Sequence, residues 1–500
     1  MSVVARQGFK YSIIGYIGFL IGMISALFIV PIDLGFYGTL RYIMSTAEML
    51  VPFVVFGISY SNVKFFHKVK EDGKQQNMLS LSLATVFINF IIFLIIFFLL
   101  PYIYPNLKNM KVWKIKETIL PLILLLSFCA IFNKYISNYK RIVVTNIFDN
   151  LFPKIANIGA FLIFLYLTSH YAESSSTPEN TAFIFFFGMF VLMLFGYIYY
   201  ANRLEKIKFN FNTDYFKKDN FYKQFATYSF FGFLGTFGNY MAINSFMIGE
   251  YLGMEENGIY SVLLALVSLI SIPQLGLFNI SAPIISKNLA DGDMEDLDRF
   301  HKKTSLTIYF LGAVLFSCIM VGFPYLTHFM PKNGVMLREY EPVIWIWGSA
   351  VLVDLATGFN GNIISLSKYY KFNILMMLLL AGLTIGLNFY FIKYTDLKLI
   401  GIALSTAISL TTYNVIKIAF NYFVFKVSPL SIEMIFVSII CTLAITVAIV
   451  LPNFNNAFIN LVYKPAVVLL LIFIGNYFTK VFPIEDYINK NFIKSIFRFK

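Results

Sequence analysis

Apolar residues in this chain fall into long unbroken runs that recur from one end to the other. A run of about 20 apolar residues is what an α-helix needs to cross a hydrocarbon core roughly 30 Å thick. Fourteen such runs can be marked: 11–30, 42–62, 79–100, 119–135, 151–168, 181–200, 226–249, 259–282, 306–323, 342–365, 373–392, 399–420, 432–451 and 461–478. Membrane strands would instead read as alternating stretches of about ten residues. Backbone groups left unpaired in lipid are costly, so the crossing segments are helices. The pattern predicts an all-α polytopic membrane protein of about 14 transmembrane helices.

The runs also repeat. Tyr11, Ser12, Gly15 and Gly18 form Y-S-x-x-G-x-x-G, and Tyr228, Ser229, Gly232 and Gly235 form it again. The echo continues from Gly35-Phe36-Tyr37 to Gly258-Ile259-Tyr260, from Pro52 to Pro273, and from Ile58-Ser59 to Ile280-Ser281. Spans one and two therefore match spans seven and eight. Six crossings separate the copies, so both enter the membrane the same way, as in transporters built from parallel repeats. The expected organisation is a six-helix lobe over 1–205, a basic linker over 206–224 and a second six-helix lobe over 225–425. Two additional helices follow over 426–480, then a basic amphipathic tail over 481–500. Pro52, Gly57 and Pro273 interrupt corresponding spans and are candidate hinges; plain kinks are the alternative.

Composition supports the membrane assignment. Hydrophobic residues make up 58% of the 500 and charged residues 13%, against roughly 25% charged in an average soluble domain. No polar block is long enough to fold separately. The net charge of +13 lies in short loops, not in a patch or tail, and so points to topology and not to nucleic acid. The basic groups include Arg6 and Lys10, Lys64 to Lys74, Lys140 and Arg141, and a cluster over 203–223. The excess of Lys and Arg on cytoplasmic loops then places both termini in the cytoplasm. The loop holding Lys108, Lys111, Lys114 and Lys116 runs against this rule. The first run exceeds the apolar core of a signal peptide and no A-x-A site follows it. Cys129, Cys318 and Cys441 fall inside spans and read as small core residues. In the tail, Lys490, Lys494 and Arg498 share one helical face opposite Ile488, Phe492 and Ile496. That pattern suits an anionic leaflet; a solvated tail is the alternative.

Enzyme chemistry is hard to place. There is no G-x-x-x-x-G-K-[ST] phosphate loop and no H-E-x-x-H, and no cofactor or metal site is expected. His67, His170, His301 and His328 read as interfacial residues at span ends or in loops. Polar groups at membrane depth carry more information, because they are expensive there. Asp354 stands near the centre of span ten, Glu48 about two turns into span two, Lys417 inside span twelve and Arg41 at the outer end of span two. Asn239 and Asn244 flank the middle of span seven. These six are the candidate cavity or ion-coupling residues. An interhelical hydrogen bond is the alternative for the asparagines, and pairing with Lys417 for the carboxylates. Arg41, Lys64 and Lys134 can also snorkel to an interface.

The opening Gln7-Gly8-Phe9-Lys10-Tyr11-Ser12, the turn Leu34-Gly35-Phe36-Tyr37-Gly38 and the stretch Gly258-Ile259-Tyr260-Ser261 resemble polysaccharide-flippase sequences. So does Pro283-Ile284-Ile285-Ser286 with the acidic loop Asp291-Gly292-Asp293. The family is the O-antigen or oligosaccharide flippase branch of the multidrug/oligosaccharidyl-lipid/polysaccharide exporter superfamily. The resemblance implies two facing lobes and a central cavity open alternately to each side. It also implies an undecaprenyl-pyrophosphate-linked oligosaccharide as cargo, carried across the bacterial cytoplasmic membrane and coupled to a Na+ or H+ gradient. Polysaccharide polymerase and glycosyltransferases would be its partners. Related lipid II flippases place arginines in the first span, whereas 11–30 carries no charge here. Two other readings stay open: a cation-coupled multidrug exporter of the same fold using Asp354 or Glu48, and a membrane polysaccharide polymerase or ligase.

Overall fold

The computed structural model describes residues 3–171, 176–217 and 220–483; the amphipathic pattern expected near the C-terminus lies outside them. Among the described residues there are helices, turns and no strand. Helix α1 (Val3–Phe28) leads into α2 (Leu34–Val55), whose first turn is capped by Asp33 accepting from the Phe36 amide at 2.9 Å. Helix α3 (Ile58–Glu71) continues the same passage after a 49° bend. Helices α4 (Gln75–Ile103), the short α5 (Lys111–Lys114), α6 (Lys116–Asn138), α7 (Ile142–Thr168) and α8 (Thr177–Leu204) follow.

After the linker with its single turn α9 (Asp214–Lys217), the seventh passage is broken into α10 (Phe221–Leu234), α11 (Tyr240–Met247) and a π turn over Ile248–Leu252. The eighth is broken into α12 (Met254–Ile270) and α13 (Ile272–Asp291). Gly292, at φ 73°, ends α13, and Asp293 caps α14 (Met294–Leu326) by accepting from the Asp296 amide. The acidic loop seen in the sequence is thus a helix stop followed by a helix start. Then come α15 (Gly334–Glu339), α16 (Glu341–Ala356) and α17 (Asn360–Leu366), the last two forming one passage bent by 48°. Helices α18 (Tyr370–Tyr394), α19 (Lys398–Phe425), α20 (Ile432–Val450) and α21 (Ala457–Thr479) complete the described chain.

Among the described residues, ten helices are long and apolar enough to cross a membrane, and the two bent pairs, each taken as one span, bring the number to 12. The remaining two expected passages are the broken seventh and eighth, so each of the fourteen runs falls on helix. The reason for a lipid solvent is visible on α4, where Ile88, Ile92, Ile95, Ile96 and Leu99 are all exposed. An apolar patch of that length on a soluble surface would be anomalous.

By its internal contacts the chain divides into two compact units. Unit 1 comprises 1–265, 331–333 and 371–409; unit 2 comprises 266–330, 334–370 and 410–500. The core of unit 1 is aromatic: Tyr42, Phe66, Phe161, Phe186, Phe190 and Tyr197 are fully buried among α2, α3, α7 and α8. In unit 2, α14 packs against α13, α16, α20 and α21.

Candidate functional site

The passage formed by α2 and α3 organises unit 1. Pro52 removes one donor from the end of α2, and the chain then takes two consecutive left-handed residues, Phe56 at φ 47° and Gly57 at φ 71°. The Val54 carbonyl near this break is satisfied from outside, by Asn89 Nδ2 at 3.0 Å. Gly57 lies against α10: a Cβ there would sit 1.9 Å from the Ser229 carbonyl oxygen. A hydroxyl pair, Ser61 with Ser229 at 2.8 Å, fastens the same crossing. Pro273 stands in the first turn of α13, just after the break that separates α12 from α13.

At the other end of α2, two glycines make a backbone-to-backbone crossing with α12. A Cβ on Gly38 would come within 1.7 Å of the Met254 carbonyl oxygen, and one on Gly258 within 2.0 Å of the Leu34 carbonyl oxygen. Asn257 Nδ2 donates to the Gly38 carbonyl at 2.8 Å, and Ser245 donates to Asn257 at 2.9 Å. Beside this seam the π turn, a geometry frequent at functional positions, presents Glu250. Its carboxylate accepts from the Tyr42 hydroxyl at 2.5 Å and from the Lys111 and Val112 amides at 2.7 and 3.2 Å. Lys111 Nζ donates in turn to the Gly249 carbonyl at 2.6 Å. The basic loop that defied the charge rule is therefore held to the end of the seventh passage. Hydrogen bonds to a charged group contribute about 1.5–3 kcal/mol each.

The sequence candidates in unit 1 lie on α2 and α11, and Tyr260, which accepts from Asn244 Nδ2 at 3.4 Å, feels the charge of Arg41. Arg41 and Glu48 stand two turns apart on one face of α2, Arg41 half-buried and Glu48 exposed. Asn239 caps α11 by accepting from the Ala242 amide at 3.3 Å. Asn244 is fully buried, donating to Thr406 Oγ1 at 2.8 Å and accepting from Asn388 Nδ2 at 2.8 Å, so it binds α11 to α18 and α19.

A second polar group lies just ahead of the fifth apolar run, which begins at 151. Helix α7 begins at Ile142, which puts Asp149 two turns inside it. Asp149 accepts from the buried Tyr197 hydroxyl at 2.6 Å and from Asn133 Nδ2. Lys154, one turn further, lies over α1, its Nζ 3.2 Å from where a Cβ on Gly18 would stand. The glycine of the first Y-S-x-x-G-x-x-G motif thus makes room for a lysine at membrane depth. The legible signal was the spacing of Asn146, Asp149, Asn150 and Lys154, all on one helical face.

In unit 2, Asn414 Nδ2 donates to Asp354 Oδ1 at 2.8 Å. Lys417, one turn along α19 from Asn414, is buried with its ammonium 4.1 Å from the centre of the Tyr413 ring. Asp354 and Lys417 thus share one corner of unit 2 through α19. One turn beyond Lys417 along α19, Asn421 Nδ2 donates to Asn360 Oδ1 at 2.7 Å, which also pairs with His301 Nε2 at 3.0 Å. His301 is 1% exposed, which corrects its interfacial reading: α14 starts at Met294, well before the apolar run, and carries the ring into the bundle. Gly358, at φ 55°, lets the chain pass Ser305, whose Oγ would lie 2.0 Å from a Cβ there. Among the described residues, His301 Nδ1, Ser305 Oγ, Asn360 Nδ2, Asn414 Oδ1 and Asn421 Oδ1 are buried without a protein hydrogen-bond partner. A buried polar atom left unpaired costs about 1–3 kcal/mol.

No protein-family profile and no curated protein matches the sequence. Solved structures do. The chain is similar to the lipid II flippase MurJ in an inward closed conformation, with a TM-score of 0.69 at 15% identity over 94% of this chain and 98% of that one. It is similar to an inward-facing multidrug resistance MATE family transporter of the MOP superfamily, with a TM-score of 0.61 at 12% identity over 83% and 94%. It is also similar to a MOP superfamily transporter from Pyrococcus furiosus, with a TM-score of 0.53 at 14% identity over 85% and 95%. At these identities the likeness establishes architecture, and this chain is a multi-pass membrane protein with the fold shared by that flippase and those transporters.

Proposed function

We propose that this protein is a flippase that moves an undecaprenyl-pyrophosphate-linked oligosaccharide from the inner to the outer leaflet of the bacterial cytoplasmic membrane by alternating access. The observation that carries this reading is the extent of the fold match. The lipid flippase aligns with 94% of the chain, the multidrug transporter with 83%. Both termini face the cytoplasm on this reading, because that orientation puts most Lys and Arg on the cytoplasmic side. The α2–α12 glycine seam and the Glu250 contact then lie at the outer ends of their passages. An anionic pyrophosphate loses its hydration on the way across, and cations at membrane depth such as Lys154 and Arg41 supply replacement charge. Asp354, held by Asn414, is the proposed coupling carboxylate for a Na+ or H+ gradient. Polymerase and glycosyltransferases are the expected partners at the membrane.

Deletion of the gene tests the proposal. Lipid-linked oligosaccharide should accumulate on the inner leaflet and surface polysaccharide should fall; normal export of both would overturn it. The half-buried Asp354, paired with buried Asn414, also favours a second reading, a cation-coupled multidrug exporter. That reading predicts altered drug sensitivity on deletion and overexpression, with polysaccharide unchanged.

A further inference from the structure

A cavity of about 840 Å³ opens beside the break between α2 and α3, walled by α3, α4 and α10 with α9 at one end. Along α4 it extends from Met78 to Asn89, which is about 16 Å at 1.5 Å per residue. Half of a 30 Å hydrocarbon core is about 15 Å. The cavity is therefore one leaflet deep.

Its chemistry is graded along that depth. Away from the α9 end the wall is mostly apolar, with Leu81 and Phe225 nearer that end and Phe56 and Ile58 at the break. The polar side chains there direct their donors at the protein. Ser82 donates to Asn62 Oδ1 at 3.0 Å, Thr85 to the Leu81 carbonyl at 2.7 Å and Asn89 to the Val54 carbonyl at 3.0 Å. Such a wall suits hydrocarbon and offers little to a sugar, whose hydroxyls would go unpaired. The end near α9 is basic. Lys217 and Lys223 line it, and Lys68 stands over the ring of Phe221 in the same wall. Asp214 lies 3.6 Å from Lys217 and offsets part of that charge, leaving Lys223 as the stronger contact. Exposed Tyr222 at this end has the amphipathic character of side chains at a membrane interface.

We infer that this cavity binds a membrane phospholipid with an anionic headgroup. The phosphate sits at Lys223 and Lys217, and one acyl chain runs along α4 toward Asn89. The lipid comes from the leaflet that faces the linker, which is the cytoplasmic one in the orientation proposed above; binding itself does not depend on the cargo. The chain would lie against Phe56 and Ile58, either side of Gly57, and so brace the bend in the second passage.

Native mass spectrometry of the full-length protein, with phosphatidylglycerol and phosphatidylcholine of identical acyl chains, tests the site. The wild type should retain phosphatidylglycerol in preference to phosphatidylcholine. Lys223→Ala should weaken phosphatidylglycerol retention about fivefold, and adding Lys217→Ala should weaken it further. Ala226→Trp, at an exposed position of the wall, should reduce retention of both lipids. Equal retention of the two lipids, or an unchanged preference in the double variant, would overturn the assignment. Displacement by undecaprenyl phosphate but not by phosphatidylglycerol would do the same. A photoreactive phosphatidylglycerol added to the wild type should label peptides 78–89 and 221–229; labelling confined to other segments would count against the site irrespective of how the variants fold.

Discussion

Helices meet in two different ways in this molecule. Where α2 crosses α12 and α3 crosses α10 in unit 1, glycines bring backbone against backbone, and Asn257, Ser61 and Glu250 direct their polar groups at partners nearby. Where α14, α16 with α17, and α19 meet in unit 2, the contact is made by Asp354, Lys417, His301 and three asparagines, and several buried polar atoms have no protein partner. The first arrangement is a close-packed lock with one good geometry. The second holds charge and hydrogen-bonding capacity that packing alone does not require. Cores tolerate such groups at a cost in stability, and in membranes they concentrate on ion and substrate pathways.

The contrast can be broken most forcefully at the lock. Gly258→Leu would drive a side chain into the Leu34 carbonyl and should destabilise this arrangement by about 3 kcal/mol, the upper end of the usual cost of overpacking. The measurement is the thermal unfolding midpoint of purified protein in detergent. A wild-type midpoint would show that α2 and α12 do not cross so closely. On the other side of the comparison, Asp354→Asn should leave membrane insertion and the unfolding midpoint near wild type while reducing transport on the order of 5–150-fold, the usual range of a coupling free energy. Full transport by that variant would remove Asp354 from the coupling role.

A smaller effect is expected at Glu250. Glu250→Gln keeps the shape but exchanges charged for neutral hydrogen bonds, a loss of about 1–2 kcal/mol. Hydrogen exchange at the Lys111 and Val112 amides should rise; unchanged protection would mean that the carboxylate does not hold that loop. The mildest prediction concerns Glu205, just past the end of α8. Burial works to raise its carboxyl, but donors from Tyr139, Gln76, Gln75 and Tyr135 outweigh it and hold the group below the ordinary carboxylate value. Its contribution to stability is therefore present above the unfolded pKa of about 4.3 and lost as pH falls through the lower folded value. Replacing Glu205 with Gln should flatten that acid limb of an unfolding-midpoint profile, and an identical limb in the variant would contradict the hydrogen-bond set.

Much of this was legible from residues alone. Apolar run length set the helical passages, because solvation in lipid acts on each segment separately and leaves its mark locally. The breaks at Pro52–Gly57 and near Pro273 were visible because proline and glycine change backbone geometry wherever they occur. The depth of Asp149 and His301 was not, since α7 and α14 extend beyond their apolar runs and only their packing shows it. Tertiary structure alone also decided that Glu250 meets a loop 139 residues earlier, that Lys154 lies over Gly18, and that Asn414 is the residue bound to Asp354. A hydrophobic pattern states which faces avoid water. It does not state which partner each face meets, and in a bundle where nearly every face is apolar, glycine clearance and single hydrogen bonds make that choice.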